Sequence, residues 1–184
     1  MTDTRSRIAR NLDAQFAEMG FAAPGVDALR NGADVSLRTL YKYFPSREAM
    51  VVGALEYRNE IYLDWISGRP DAGQDHILHV FHRLGEWLEK GANNGCLFLN
   101  ALAAHPDVPG VREMAETHKN CVRDMFADRL RHIAPDTDID DLAEVLLTIH
   151  EGQTDTAMTR DPETATRAAL RLARALLTAE GIPQ

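Results

Sequence analysis

Several features of secreted, membrane-spanning and enzymatic proteins are missing from this sequence. Only two of the 184 residues are cysteines, Cys96 and Cys121, which are too few for a disulfide framework and do not form a Cys-x-x-Cys pair. No apolar run approaches the ~20 residues that cross a bilayer. The first residues lead into a polar amphipathic segment and lack the apolar stretch of a secretory signal. We therefore expect a cytoplasmic protein with no membrane partner.

Catalytic and metal-binding motifs are missing as well. The sequence contains no Gly-x-Ser-x-Gly, no His-Glu-x-x-His and no phosphate-binding loop ending in Lys-Ser/Thr. His76, His79 and His82 recur at every third position, but no cysteine or carboxylate completes a ligand set, so we expect solvated histidines. The acidic cluster at residues 136–141 lacks the glycine and distal glutamate of a calcium loop, and we expect it to cap a helix. The sequence predicts no enzyme, no metal and no cofactor.

The formal net charge of -8 argues against indiscriminate binding to nucleic acid, but the charge is unevenly distributed. Residues 1–50 carry seven basic and six acidic side chains, whereas the remainder carries thirteen and twenty-two. A slightly basic head on an acidic body is typical of a protein that docks one end on a polyanion. With so little net positive charge on the head, we expect modest non-specific affinity.

The spacing of the apolar residues predicts an all-α fold. No segment shows sustained apolar–polar alternation with β-branched residues, which excludes a strand-rich domain. The pattern divides into two blocks, a three-helix head at residues 1–45 and a larger helical bundle at residues 46–184. The nine predicted helices cover about residues 4–19, 24–33, 37–44, 46–68, 71–90, 96–104, 108–133, 139–159 and 162–179.

The ends of the first three helices have recognisable local signals. Gly20 offers a left-handed cap after the first helix, and Phe21 can fold back on Phe16, as in a Schellman ending. Asp34 opens a tight turn, and Ser36 is a good N-cap for the third helix. The sequence therefore predicts two short helices joined by a tight turn.

Short helix, tight turn and second short helix is the geometry that lets one helix enter the major groove of DNA. Leu40 and Phe44 are four residues apart and point inward, which leaves polar and aromatic side chains on the outer face. The alternative is that Tyr41, Tyr43 and Phe44 are only core aromatics of a helical domain. The fixed turn between two helices too short to be stable alone favours the DNA-binding interpretation.

Residues 8–51 resemble the DNA-binding domain of the TetR (tetracycline repressor) family. The most specific part is Val-Ser-Leu-Arg-Thr-Leu-Tyr-Lys-Tyr-Phe-Pro-Ser-Arg-Glu at residues 35–48. The resemblance implies that the third helix approaches base edges and phosphates, with Arg38 as the best candidate for recognising guanine and Arg47 as a phosphate ligand. The implied DNA-binding residues are Ser36, Leu37, Arg38, Thr39, Tyr41, Lys42, Tyr43 and Arg47.

Two positions depart from the pattern of this family. The turn between the two helices usually contains glycine, where this chain has Asp34, a residue that tolerates the left-handed conformation. The second helix usually begins with threonine or serine, which caps it and contacts a phosphate, but this chain has Pro24-Gly25. Glycine is an acceptable cap without a hydroxyl, so one phosphate contact is in doubt.

The resemblance implies that the last two helices form a four-helix interface with a second copy of the chain. The residues support this independently, because the ninth helix carries Leu170, Leu172, Leu176 and Leu177 around much of its circumference. Gly152 permits close approach on the eighth helix. The alternative is that these helices pack only within one subunit. We predict a homodimer.

The resemblance also implies an effector pocket enclosed by the middle helices. Apolar walls with a few polar groups are typical of small-molecule sites, although the same residues fit a filled core equally well. Cys96 begins the sixth helix and is expected near the pocket, either as a buried structural cysteine or with a redox role. The candidate effector-binding residues are Trp65, Phe81, Trp87, Cys96, Phe98, Asn100, Met114, His118, Cys121, Met125, His150 and Thr154.

Taken together, the sequence predicts a repressor that binds a near-palindromic operator in double-stranded DNA and is released by a small-molecule effector. Effector binding would move the fourth helix and change the separation of the two DNA-binding heads. One alternative is a helix-turn-helix protein that acts through protein–protein contacts without an effector. A helical enzyme with an incidental helix-turn-helix is the other alternative, and the lack of catalytic motifs argues against it.

Overall fold

The structure is a computed structural model that describes residues 4–68, 73–90, 95–134 and 138–184. Within these residues it contains helices and no strands, as the sequence predicts. The helices are α1 (Thr4–Met19), α2 (Val26–Ala33), α3 (Leu37–Tyr43), α4 (Arg47–Ile66), α5 (Gly73–Glu89), α6 (Leu97–Ala104), α7 (Pro109–Ile133), α8 (Ile139–Thr159) and α9 (Pro162–Ala179).

The local signals at the end of α1 form the predicted ending. Gly20 has a φ of 74°, a left-handed conformation that glycine adopts without a steric penalty. Its N–H donates to the Phe16 carbonyl over 2.9 Å. The rings of Phe16 and Phe21 stack with their centroids 4.9 Å apart. The predicted fold-back of Phe21 is therefore confirmed.

The helix ends shift by one or two residues from several predicted limits. Phe44 is the C-cap of α3 and not its last residue, and Cys96 is the N-cap of α6 without a side-chain capping bond. The predicted fourth helix extends to about Gly68, but α4 ends at Ile66. The predicted start of the fifth helix at Asp71 lies outside the described residues.

The chain packs as two units. The first comprises Met1–Tyr62 and Cys96–His118, and the second comprises Leu63–Gly95 and Lys119–Gln184. The sequence predicts a domain boundary between residues 45 and 46, at the end of the segment expected to bind DNA. This boundary stays a prediction.

The first unit has a continuous apolar core. The short helices α2 and α3 contribute Leu29, Ala33 and Leu40, which are fully or almost fully buried. These side chains pack with apolar residues of α1, α4, α6 and α7, and it is this packing that stabilises helices too short to form alone. The other large buried side chains of this core are Ile8, Leu12, Phe16, Phe44, Met50 and Leu55.

A buried ion pair also joins two helices of the first unit. The guanidinium of Arg58 on α4 donates to both carboxylate oxygens of Asp13 on α1, over 2.5 and 3.0 Å. Both side chains are largely shielded from water. This pair has no local signal in the sequence, because 45 residues separate its members.

The second unit is held together by the packing of α5, α8 and α9. Phe81 of α5 and Phe126 of α7 contact each other with ring centroids 5.3 Å apart. Arg129 of α7 is buried and donates to the carbonyls of Ile66 and Gly68, each over 2.8 Å, and to that of His76. Arg129 thus satisfies carbonyl groups at the end of α4 that have no partner within that helix.

A network of titratable groups links α7 and α8 in the second unit. Glu151 forms an ion pair with Lys119, and its carboxylate lies 3.2 Å from Nδ1 of the buried His150. Burial alone would raise the pKa of Glu151, but the hydrogen bond from His150 and the Lys119 charge lower it to about 2. Burial also lowers the pKa of His150, because the imidazolium would lose its hydration.

We expect the stability of the protein to fall as the pH drops below about 6.5, the ordinary histidine pKa. In that range the unfolded chain protonates His150 while the folded chain holds it neutral, so protons favour the unfolded state. One such group contributes at most about 1.4 kcal/mol per pH unit. Chemical denaturation at about pH 7.5 and 5.5 should show a smaller pH-dependent loss for His150→Gln than for the parent protein.

The comparison between the two pH values separates titration from packing, since a packing defect would lower the stability equally at both. His82→Gln removes a solvent-exposed histidine of α5 and is the matched control. An unchanged pH dependence in His150→Gln would show that protonation of the unfolded His150 is not coupled to folding.

Candidate DNA interface

The inner face of helix α3 packs against the core of the first unit. Leu40 and Phe44 are buried, as the sequence predicts. Phe44 lies against Gly53 of α4, where a Cβ atom would come within 2.2 Å of the ring. A side chain at position 53 would push Phe44 away and tilt α3. Gly53 therefore determines how closely α3 approaches α4.

The turn and the cap before α3 follow the sequence prediction. Asp34 has a φ of 52°, so aspartate adopts the left-handed conformation that the sequence analysis expects it to tolerate in this turn. The Ser36 hydroxyl accepts from the Thr39 N–H over 3.1 Å and lies 2.8 Å from the Thr39 hydroxyl. Ser36 is thus the N-cap of α3, and its exposed side chain lies at the end of the helix that would point towards DNA bases.

The outer face of α3 is open to solvent. Leu37 and Tyr41 are 43% and 41% exposed and lie one helical turn apart, so they place apolar surface side by side on α3. Arg38 and Lys42 are exposed beside them, and the Lys42 ammonium lies 5.4 Å from the Tyr43 ring centroid. Thr39 and Tyr43 are half-buried. This face offers two cations, hydroxyl groups and apolar surface on one short helix, the chemistry needed to contact phosphates and bases.

Arg47, predicted to bind a phosphate, is engaged within the first unit. Its guanidinium donates to the carbonyl oxygen of Phe21 over 2.6 Å and to that of Pro24. These bonds tie the loop between α1 and α2 to the first residue of α4. The sequence carries no local signal for these hydrogen bonds, because the carbonyl partners lie 26 and 23 residues away from Arg47. The phosphate contact implied for Arg47 is not tested by this geometry, but the internal hydrogen bonds favour the role of a brace instead.

We expect Arg47→Ala to weaken DNA binding without changing its dependence on salt. Loss of a phosphate contact reduces the slope of log K against log salt by about 1, whereas loss of an internal brace leaves the slope unchanged. Arg47→Lys keeps the charge but not the forked pair of hydrogen bonds, so it should behave like Arg47→Ala. Fluorescence anisotropy over a salt series measures both quantities. A slope reduced in Arg47→Ala and restored in Arg47→Lys would contradict the internal role.

The start of α2 lacks a side-chain cap, as expected from the sequence. Gly25 is the N-cap and makes no capping hydrogen bond through a side chain. No hydroxyl is therefore present at this position for the phosphate contact that the resemblance implies. The backbone N–H groups at the start of α2 remain as donors for an anion.

Of the candidate effector residues in the first unit, His118 and Phe98 contact each other. The His118 ring stacks on that of Phe98 with centroids 3.8 Å apart, and Nδ1 of His118 lies 2.8 Å from the Asn59 side-chain oxygen. His118 and Phe98 are buried. Cys96 and Met114 are half-buried, and Asn100 is exposed.

The candidate effector residues in the second unit contact other protein groups. Trp65 donates from its indole nitrogen to the Arg83 carbonyl over 2.8 Å. The Arg83 guanidinium and the Lys90 ammonium lie 3.8 and 4.0 Å from the centroid of the Trp65 ring, and the Trp87 ring lies 6.1 Å away. Phe81, His150 and Thr154 are buried, whereas Cys121 and Met125 are half-buried. Whether these residues bind an effector stays a prediction.

A groove that the sequence analysis missed lies between α5 and α9 in the second unit. It has a volume of about 790 Å³, and none of the candidate effector residues lines it. One wall carries Arg167, Arg171 and Arg174 of α9, and the other carries Glu86 and Glu89 of α5. The i, i+4, i+7 spacing of the arginines was a visible signal for one charged helix face.

The predictions for the histidines and the acidic cluster have different outcomes. His76 is buried with its ring 5.4 Å from that of His132, so the prediction that it is solvated is wrong for this residue. Its burial follows from the packing of α5 against α7, which the spacing of three histidines does not indicate.

Asp138 caps α8 by accepting from the Asp141 N–H over 3.5 Å, as predicted, while Asp136 lies outside the described residues. Among the described residues there is no cluster of three metal-ligating side chains.

Comparisons with known proteins agree with this geometry. Residues 13–54 match the family model of bacterial regulatory proteins of the tetR family. The HTH-type transcriptional regulator YjdC of Escherichia coli (strain K12) is 24% identical over 127 residues, which cover 64% of this chain and 64% of YjdC. The chain therefore matches slightly less than two thirds of that curated relative's length.

Solved structures share the fold over nearly the whole chain. SCO4454, a TetR-family transcriptional regulator from Streptomyces coelicolor, has a TM-score of 0.84 at 21% identity and covers 96% of this chain and 95% of its own. The protein sav143 of Streptomyces avermitilis has a TM-score of 0.79 at 23% identity and covers 98% of this chain and 100% of its own. At these identities the likeness establishes the fold. Among the described helices, none is both long and apolar enough to cross a bilayer.

Proposed function

We propose that this chain, whose residues 13–54 match the family model of bacterial regulatory proteins of the tetR family, is a cytoplasmic transcriptional repressor that binds a near-palindromic DNA operator as a homodimer. The observation that carries the proposal is the exposed outer face of α3. Arg38, Tyr41 and Lys42 face solvent while Leu40 anchors the helix in the core. A helix presented in this way fits the major groove, which is about 12 Å wide.

Two such helices must be held together to read both halves of an operator. Half-sites one helical turn apart lie about 34–36 Å from centre to centre, so a second copy of the chain has to fix the separation of the two heads. We propose that the second copy packs against an apolar seam on the exposed sides of α8 and α9. The seam consists of Val145, Ile149 and Gly152 of α8 and Ala168, Leu172 and Ala175 of α9.

The exposure of this seam supports the dimer. Leu172 is 60% exposed in the middle of α9, and Val145 is 37% exposed on α8. The opposite face of α9 buries Ala165, Ala169 and Ala173 within the subunit, so α9 has a second apolar face that remains open to solvent. Outside the backbone of its own helix, no atom of the described residues lies within 4 Å of the position where a Cβ of Gly152 would be, which leaves room for a close helix–helix contact.

We further propose that a small-molecule effector releases the protein from its operator. Helix α4 supports this, because it begins at Arg47, directly after the recognition helix, and its last residues from Leu63 onward belong to the second unit. A ligand shifts the equilibrium between two states only through a difference in its affinity for them. The effector must therefore bind more tightly to a conformation in which the two heads no longer fit adjacent grooves.

Binding to DNA taken from the region upstream of the chain's own gene tests the proposal. Fluorescence anisotropy with this DNA and with a scrambled duplex, each at two salt concentrations, should show selective and salt-dependent binding. Equal binding to both duplexes, or no binding at low ionic strength, would contradict the proposal. That result would favour the alternative in which the exposed Leu37 and Tyr41 contact another protein.

A further inference from the structure

The outer flank of α9 is basic. Arg167, Arg171 and Arg174 lie on one side of the helix and are exposed. Within the subunit, Arg167 lies 3.6 Å from Glu163 and donates to the Thr164 hydroxyl over 3.1 Å, and Arg174 lies 3.8 Å from Asp75, in pairs that are open to solvent. Exposed pairs of this kind contribute little and exchange easily. The three arginines are therefore available to another set of carboxylates.

The outer flank of α8 is acidic. Asp141, Glu144 and Asp155 are exposed on one side of the helix. They lie next to the seam residues Val145 and Gly152, which come one to four residues away on the same exposed surface. The two flanks therefore border the apolar seam from opposite sides.

The neighbouring helices of the second unit establish this order. Arg174 and the groove that it lines lie on the side of α9 that faces α5. Glu151 binds Lys119 and so marks the side of α8 that faces α7. Gln153 of α8 donates to Thr166 of α9 over 3.0 Å between these sides. Across the surface, the acidic flank comes first, then the apolar seam, then the basic flank.

We propose that charge determines how two copies of this chain pair, with the basic flank of α9 facing the acidic flank of the partner's α8. The inference rests on the homodimer of the proposed function and specifies its arrangement. A two-fold axis that runs along the helices places each α9 opposite the partner's α8. The charged flanks then meet with opposite signs at both edges of the apolar seam, which selects this pairing.

The register of the two helices fits this pairing. Helices α8 and α9 are antiparallel, because only Arg160 and Asp161 connect them, and Gln153 lies level with Thr166. Counting from that level places Arg174 level with Val145, so Glu144 lies about 1.5 Å away along the helix. Rotation about an axis along the helices preserves these levels, so Arg174 meets the partner's Glu144. Arg167 lies about 4.5 Å along the helix from the level of the partner's Asp155, within reach of an arginine side chain.

The other two-fold arrangement is unfavourable for the same reason. An axis across the helices places α8 against the partner's α8 and α9 against the partner's α9. Asp141, Glu144 and Asp155 would then face a second acidic flank, and the arginines would face arginines. Like charges at an interface cost binding energy, so this sequence disfavours that arrangement.

A charge-swap experiment on the full-length protein tests the inference. One variant carries Arg167→Glu and Arg174→Glu, and a second carries Glu144→Lys and Asp155→Lys. Each variant alone should dissociate more readily than the parent protein, with a dimer dissociation constant about 100-fold higher at low ionic strength, because repulsion replaces attraction at both edges. An equimolar mixture of the two variants should form heterodimers, since both edges are then complementary. Sedimentation equilibrium and native mass spectrometry measure these species.

Two controls distinguish the pairing of charges from damage to the fold. Combining all four substitutions in one chain restores opposite charges and should restore the homodimer. Arg112→Glu reverses an exposed arginine of α7 outside the seam and should leave the dissociation constant unchanged. If the parent protein dimerises but the single-flank variants do so equally well, the charge pairing is wrong while the homodimer stands. If the parent protein is monomeric at all concentrations, the homodimer itself is wrong.

Discussion

Arg58→Ala is expected to lower the free energy of unfolding by about 3 kcal/mol, because it leaves the Asp13 carboxylate buried without its partner. Arg58 is the side chain that donates to both oxygens of Asp13, which is only 6% exposed. Burial raises the pKa of Asp13, and the hydrogen bonds and charge of Arg58 oppose this effect. Urea denaturation at neutral pH measures the loss.

The pH dependence of that loss identifies its cause. Without Arg58, the folded chain favours protonated Asp13 more strongly than the unfolded chain does, so acid should reduce the deficit. Arg5→Ala is the matched control, because Arg5 also joins α1 to α4 but pairs with Glu56 at an exposed position, over 2.7 Å. An exposed pair contributes about 0.2–1 kcal/mol. Equal losses in Arg5→Ala and Arg58→Ala would show that burial of the Asp13 pair has no special effect.

The parts of the site that the sequence predicts correctly depend on local geometry. The cap at Ser36, the left-handed Asp34 and the contact between Phe16 and Phe21 each involve residues no more than five positions apart. Interactions of this range follow from helical periodicity and from the conformations that each residue type tolerates. The inner and outer faces of α3 were predictable for the same reason, since Leu40 and Phe44 are one turn apart.

The long charged side chains were not predictable in this way. Arg47 binds two backbone carbonyls and Arg129 binds three, and none of these partners differs in sequence from any other peptide group. A backbone carbonyl leaves no mark in the sequence, so only the packed structure shows which arginines are internal. The burial of His76 depends in the same way on α7, whose His132 lies more than fifty residues further along the chain.

The composition of the middle helices predicts polar and aromatic residues in the protein interior but not what they contact. Trp65 has the character of a pocket residue, yet its ring faces Arg83 and Lys90 of its own chain. Cation–π contacts of this kind depend on the crossing of two helices, which apolar spacing does not specify. Apolar spacing also does not specify how α5 and α9 cross, so the sequence did not predict the groove between them.

Arg38→Ala is expected to weaken binding to the specific operator by about 1–3 kcal/mol, or roughly 5- to 150-fold, and to relax the base preference at one position of each half-site. Arg38 is exposed in the first turn of α3, where a recognition helix approaches base edges. Its guanidinium can donate two parallel hydrogen bonds to guanine. Anisotropy measurements on a set of operators with single-base changes would locate the relaxed position.

Lys42→Ala separates base recognition from phosphate binding on the same helix. Lys42 lies in the last turn of α3, and its ammonium is a point charge over the Tyr43 ring, so its contribution should not depend on the base sequence. We expect Lys42→Ala to weaken specific and scrambled DNA by similar factors and to reduce the salt slope by about 1. Arg38→Ala should instead reduce the ratio of the affinity for specific DNA to the affinity for scrambled DNA. If Lys42→Ala changed the base preference and Arg38→Ala did not, α3 would enter the groove by its C-terminal end, opposite to the orientation inferred from its cap.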